Sequence, residues 1–210
     1  MEKTKKKNFS SFNLASAYRQ LDIKILLTWV LEPYLLEPTS FFMERMGRLK
    51  RNFDLRSYEE SKKLIIDAFC EEVMEKTEKL KIWKGGKIES DVAIGNADYV
   101  IAERKDYLET PFLCIVEAKK DDFEQGLAQC LVEMQACQWK NRQVGRNIDV
   151  MGIVTNGQGW IFYKLSAANS QINEVWETGL YSSDEISRLL GAIQYIFQEC
   201  EKNLSVLPTY

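Results

Sequence analysis

Three charged residues stand out by their spacing. "GNADYVIA" places Asp98 at the head of one apolar run, and "FLCIVEAKK" ends another with Glu117, Ala118 and Lys119. The second run is apolar enough for a core strand, so a carboxylate and an amine at its end need a reason. If 97–103 and 111–119 form an antiparallel hairpin with Arg104 facing Pro111, Asp98 falls directly opposite Glu117. Side chains alternate along a strand, so Lys119 shares the face of Glu117 while Ala118 points away. Two acids held together repel, and each raises the other's pKa unless a cation sits between them. A hard divalent ion is the natural compensation. Mg2+ or Mn2+ takes oxygen ligands, and Asp98, Glu117, the backbone carbonyl of Ala118 and water would complete a shell. Such an ion acts as a Lewis acid toward a phosphate oxygen, and the Lys119 ammonium beside it can orient or activate the attacking water. The expected reaction is phosphodiester hydrolysis, in which positioning and charge neutralisation do most of the work. The plainer alternative is a strand-end salt bridge from Glu117 to Lys119 or Lys120, with Asp98 a solvated turn residue.

Periodicity defines the elements that must position these groups. Residues 10–34 and 38–50 read as helical segments separated by the prolines of "LEPYLLEP", and the second ends in the basic cluster Arg45, Arg48, Lys50 and Arg51. From "SYEE", where Ser57 and Glu60 have capping-box spacing, a helix is predicted to about Leu80, with Leu64, Ile65, Ala68, Phe69 and Val73 on one face. Glu72 projects into that stripe, where an unpaired carboxylate would be costly. Strands are predicted at 87–94, 97–103 and 111–119. A helix over 121–140 keeps Phe123, Leu127, Cys130, Leu131, Met134 and Cys137 in one stripe, with Gln129 and Glu133 beside it. "IDVMGIVTNG" reads as a strand buried on both faces, followed across a turn by 159–165. A short strand at 172–177 and a helix at 183–203 close the chain. Helix, strands, helix, strands, helix is a three-layer α/β pattern in which a meander feeds a crossover helix.

These motifs resemble the PD-(D/E)XK nuclease superfamily, which carries an Asp at the start of one strand and (D/E)-x-K at the end of the next, here Asp98, Glu117 and Lys119. "DDFEQGLAQCLVEMQA" and "GIVTNGQGWIFYKL" look like restriction-endonuclease-type members, including the nuclease domains of type I restriction enzymes. The resemblance covers residues 57–165 and departs at Ala97, where the family has Pro before the motif Asp. It implies a restriction endonuclease-like α/β/α core with a mixed central sheet over 57–210, preceded by a basic helical segment, 1–56, packed on that core. The implied activity is that of a Mg2+- or Mn2+-dependent nuclease, with DNA expected ahead of RNA. Asp98, Glu117 and the Ala118 carbonyl would hold the metal, and Lys119 would activate water. Many relatives add a Gln on the helix after the motif lysine. Gln129 is the best match for placing water or phosphate, and Gln125 is a weaker one. Glu72 would supply the additional acid that some members bring from the first helix. Arg45, Arg48, Lys50 and Arg51 would guide nucleic acid, unless they form an ordinary solvated face. The alternative is a catalytically inactive relative that binds nucleic acid or a protein partner. With no recognition domain of its own, the chain would work as a homodimer or beside other proteins.

Composition narrows the chemistry further. There is no histidine, which excludes Ser/His and Cys/His catalysis and His-bound zinc. The five cysteines lie in apolar runs without CxxC spacing and read as buried thiols. Net charge is −3, but residues 1–56 hold 11 Lys/Arg against 6 Asp/Glu, so a polyanion would favour that end. With a pI near 5.3 the chain is not a generic nucleic-acid coat. No apolar run has the length of a membrane span, and the N-terminal lysines precede no signal core, so a cytoplasmic protein is expected. The tryptophans, including Trp83, Trp139, Trp160 and Trp176, are expected to pack rather than to stack on bases.

Overall fold

The computed structural model describes residues 6–119, 122–168 and 173–206. Its main sheet contains β2 (Leu27–Thr28), β3 (Leu80–Lys84), β6 (Tyr99–Glu103), β7 (Phe112–Ala118), β8 (Val150–Thr155), β9 (Gly159–Leu165), β10 (Val175–Glu177) and β11 (Tyr181–Ser182). The strand order is β2-β10-β9-β8-β7-β6-β3, with β11 also paired to β9. A small sheet is formed by β1 (Lys7–Asn8), β4 (Lys87–Glu89) and β5 (Ala93–Asn96). The fold is therefore α/β with a mixed sheet. β3, β6 and β7 are antiparallel neighbours, whereas β7 and β8 run parallel. A parallel pair cannot be joined by a tight turn, and α4 (Phe123–Gln143) makes the crossover. β7 and β8 are buried throughout, as their continuous apolar sequence requires.

Helices cover both faces. On one side α3 (Glu59–Met74), α5 (Ile186–Leu204) and α2 (Ser40–Asn52) bury Phe42, Phe69, Val73, Ile193 and Phe197 against the sheet. On the other, α4 packs on the sheet and is itself covered by α1 (Leu14–Leu21) and the small sheet, which contribute Leu21 and Ile88. Every residue of α4 from Gly126 to Met134 is consequently buried. Gly152 on β8 allows this close stacking, because a Cβ there would strike Met134 and Cys130. All five cysteines are free and buried: Cys70, Cys114 and Cys200 in the first layer, Cys130 and Cys137 in the second. No helix among the described residues is long and apolar enough to cross a membrane.

Several elements differ from the sequence prediction. The helix expected over 10–34 ends at Leu21, where Asp22 adopts a left-handed conformation with φ 51°. The chain then runs extended, and β2 pairs with β10 at the sheet edge. Pro33 lies in the extended stretch that crosses α5. Gly191 makes room for that crossing, since a Cβ would collide with the Tyr34 carbonyl, and Leu36 N–H bonds the Ser187 carbonyl at 3.0 Å. The Ser57/Glu60 capping box is absent: Tyr58 is the N-cap of α3 and makes no side-chain cap, while Ser57 N–H is held by Asp54. α3 stops at Met74, and "LKIWK" forms β3 rather than the helix end. The run 87–94 is split into β4 and β5 by a turn in which Ser90 Oγ accepts from the N–H groups of Val92 and Ala93. Lys120 and the predicted starts at residues 121 and 172 lie outside the described residues.

Candidate active site

The site forms where β6 begins and β7 ends. Tyr99 faces Val116 and Val100 faces Ile115, a register that continues to Asp98 opposite Glu117. The far end of the hairpin departs from the expected pairing. A bulge between Ile101 and Ala102 sets Ala102 against Phe112, and Arg104 N–H bonds the Lys79 carbonyl instead. Asp98 Oδ2 accepts from the Ala118 N–H at 3.0 Å, so a side chain, not the ladder, closes this edge of β7. Lys119 N–H bonds the Thr155 carbonyl on the other edge. Backbone direction alternates along a strand, which turns the Ala118 carbonyl to the Asp98 side.

Glu117 is completely buried on the α4 side of the sheet. Lys119 Nζ lies 2.6 Å from Glu117 Oε1 as an ion pair, yet neither carboxylate oxygen has a directed hydrogen bond. Burial raises the Glu117 pKa first and the neighbouring Asp98 second, and against the relief from Lys119 it is pushed up to about 7. Burial opposes the charge on Lys119, but Glu117, with Glu59 and Asp98 behind it, outweighs burial and leaves the ammonium more stable than usual. Lys119 Nζ also donates to Gln129 Oε1 at 3.2 Å, and Gln129 Nε2 donates to Glu133 Oε1 at 3.1 Å. Gly126 admits the lysine stem beside α4, because a Cβ would meet Lys119 Cγ at 2.9 Å. The structure thus brings Asp98, Glu117, Ala118, Lys119 and Gln129 together.

Two residues join that were not singled out from the sequence. Lys63, on α3, lies 3.0 Å from Asp98 Oδ1 and also pairs with Glu60 at 2.7 Å and Glu59 at 3.6 Å. Burial disfavours its charge, but Glu60 and Asp98 more than restore it, so its pKa is raised. Glu59 lies near enough for its charge to push Glu117 up further. The only trace in the sequence is the i,i+4 spacing of Glu59 and Lys63 in the first turns of the predicted helix, which does not tell what the pair faces.

Glu72 is not brought to the cluster. Its carboxylate accepts from Thr39 N–H at 2.6 Å and Thr39 Oγ1 at 2.9 Å, so it anchors the N-cap of α2. That bond is what makes its burial tolerable. Gln125 is likewise diverted, its amide donating to the Phe12 carbonyl at 3.0 Å. Within the basic cluster, Arg45 pairs with Glu71 and Arg48 with Glu44, while Lys50 and Arg51 sit in the last turn of α2. A groove of about 670 Å³ between α2 and the β8–β9 turn has Lys50, Phe53, Arg56 and Gln158 on its walls. That turn leans on α3, with Gly157 at φ 82° close to the Lys62 carbonyl and Ile65. Of the four tryptophans noted above, Trp160 is fully buried and the rest half-buried.

Among the described residues, no three acid or thiol side chains converge into a ready-made cation cage. Two carboxylates do meet, and one is a buried acid with both oxygens lacking directed donors. Asp98, Glu117 and the Ala118 carbonyl are the oxygens here that could hold a divalent cation, completed by solvent. No protein-family model matches the chain.

Proposed function

We propose that this chain is a divalent-metal-dependent nuclease of restriction endonuclease-like fold, hydrolysing phosphodiester bonds in nucleic acid, with DNA the first substrate to test. The observation that carries the reading is the meeting of Asp98, Glu117 and Lys119 at one end of the sheet, with Gln129 on the lysine. The antiparallel β3–β6–β7 neighbours, the α4 crossover and the parallel β8 support the fold.

Asp98, Glu117 and the Ala118 carbonyl would hold Mg2+ or Mn2+. When bound, the ion supplies Lewis acidity to a phosphate oxygen and a more acidic water. The chain's own groups do the rest. Ala118 N–H and Lys63 fix the Asp98 carboxylate from two sides, so it is aimed before any ligand arrives. Lys119 reaches the same volume as Glu117 and would orient the attacking water or neutralise charge building on the phosphate. Lys50, Arg51 and the groove walls carrying Phe53 and Arg56 would take the nucleic-acid backbone.

A second reading, a non-catalytic binding module, is favoured by one observation. Lys63 and Lys119 already neutralise the two acids, as they would in a purely structural cluster. The deciding assay presents plasmid, linear and single-stranded DNA and RNA with Mg2+ or Mn2+, using Asp98→Asn and Glu117→Gln as controls. Cleavage that both substitutions abolish supports the nuclease. No cleavage of any form, together with no Mn2+-dependent gain in stability, assigns the binding module.

A further inference from the structure

We propose that Glu133 is a positioning residue: it turns the Gln129 amide so that its oxygen faces Lys119, and through that amide it sets the lysine. The inference rests on the nuclease reading for what Lys119 does, but not for the orientation itself.

A glutamine amide offers an acceptor on one side and donors on the other, and the two ends are nearly the same shape. Lys119 takes the oxygen on its side, and an acceptor on the other side holds the amide in that orientation. Glu133 lies one helical turn further along α4 and accepts from Gln129 Nε2 at 3.1 Å, which leaves Oε1 to accept from Lys119 Nζ at 3.2 Å. Packing gives no other account of an acid at this position. Glu133 is completely buried, and its Oε2 has no hydrogen-bond partner. Such a group is costly where leucine would fit the surrounding apolar layer. The other buried polar side chains of α4 tie down main chain: Gln138 bonds the Ser166 carbonyl, and Asn141 bonds both the N–H and the carbonyl of Phe112. The directed hydrogen bond of Glu133 runs instead to Gln129. Burial, and after it the charge of Glu117, hold the Glu133 acid above the ordinary carboxylate range. What Gln129 draws from this residue is one acceptor oxygen for its Nε2, and glutamine can supply one.

The test compares Glu133→Gln, Glu133→Leu, Gln129→Leu and the double Leu variant on DNA with Mn2+, alongside the Gln129 side-chain amide signals in 15N–1H spectra. Expected is near-normal turnover for Glu133→Gln and a kcat lowered about tenfold to a hundredfold, with KM little changed, for either Leu variant. The double variant should fall no further than the worse single one, because both break one relay. The Gln129 amide pair should be shifted and exchange-protected in the wild type and in Glu133→Gln, and lose both properties in Glu133→Leu. Multiplying effects, or an unchanged Gln129 signal in Glu133→Leu, overturn the proposal. If the wild type cuts no nucleic acid, the nuclease reading fails while the amide signal still decides the orientation. Should Glu133→Leu not fold, the unbranched Glu133→Met gives the same reading.

Discussion

Glu117 carries a consequence for pH dependence, because its burial, like that of Glu133, favours the protonated acid in the folded chain. Its folded pKa is raised from the usual carboxylate range to about 7. Its contribution to stability is therefore fully present below the unfolded carboxylate pKa, where folded and unfolded chains both hold the proton, and is lost as pH rises through about 7. The expected loss for the metal-free protein is up to about 3 kcal/mol. Urea unfolding at a series of pH values checks this, and Glu117→Gln should make the fall with pH shallower, leaving the part due to Glu133, and stabilise the chain near pH 8. At Asp98 the expectation differs, since Lys63 and Ala118 N–H fix its position. Lys63→Met should lower turnover about tenfold by loosening that aim, with a fold loss of about 1 kcal/mol or less, read from kinetics and urea melts in parallel. Asp98, Glu117, Lys119 and Gln129 could be read from the sequence because alternation along a strand and the stripe of a helix fix which side chains share a face. Lys63 and Glu59 could not: they reach the site across the sheet end, and local periodicity says nothing about what lies beyond it.

Elements show where local rules yield to tertiary contacts. Glu72 was legible as buried, but its partner is Thr39, distant in the chain and on another helix. Thr39→Ala takes away the side-chain N-cap of α2 and one of the two Thr39 donors to the buried Glu72 carboxylate, leaving the backbone N–H, and should cost about 1–2 kcal/mol in urea unfolding while the Asp98 cluster stays intact. "LKIWK" follows a helix without a proline or glycine break, so helix and strand patterns compete, and pairing with β6 decides for strand. The Ile101/Ala102 bulge leaves no mark in the residue pattern either, yet it sits far enough from Asp98 that the Tyr99–Val116 register beside it survives. Gly191 makes a second test at this scale. Gly191→Ala should lift the segment around Tyr34 off α5, which limited proteolysis would detect as new cuts between residues 30 and 38, while the Asp98 cluster stays intact.

Across the molecule, one sheet separates two apolar layers and holds the acids at its rim, so any cation bound there would be linked to global stability. At about 100 times its Kd, Mn2+ should raise unfolding stability by about 2.7 kcal/mol at pH 8, and Asp98→Asn or Glu117→Gln should abolish the gain. Differential scanning fluorimetry with and without a chelator checks it. The layered α/β plan was legible from the order of helical and strand-like runs. The path of residues 6–39 was not, because that segment is placed by edges and surfaces supplied by later parts of the chain. β1 joins the small sheet and β2 the main one, Phe9 packs on Gly95 of the small sheet, and Phe9 and Phe12 are buried in the α4-side layer.

The sealed thiols turn this architecture into its own recorder. Cys130 and Cys137 lie on one side of the sheet, and Cys70 and Cys200 on the other. An alkylating reagent applied to the native protein would mark each side only when that side opens. Mass spectra taken over time would then distinguish a chain that peels away layer by layer from one that comes apart in a single step.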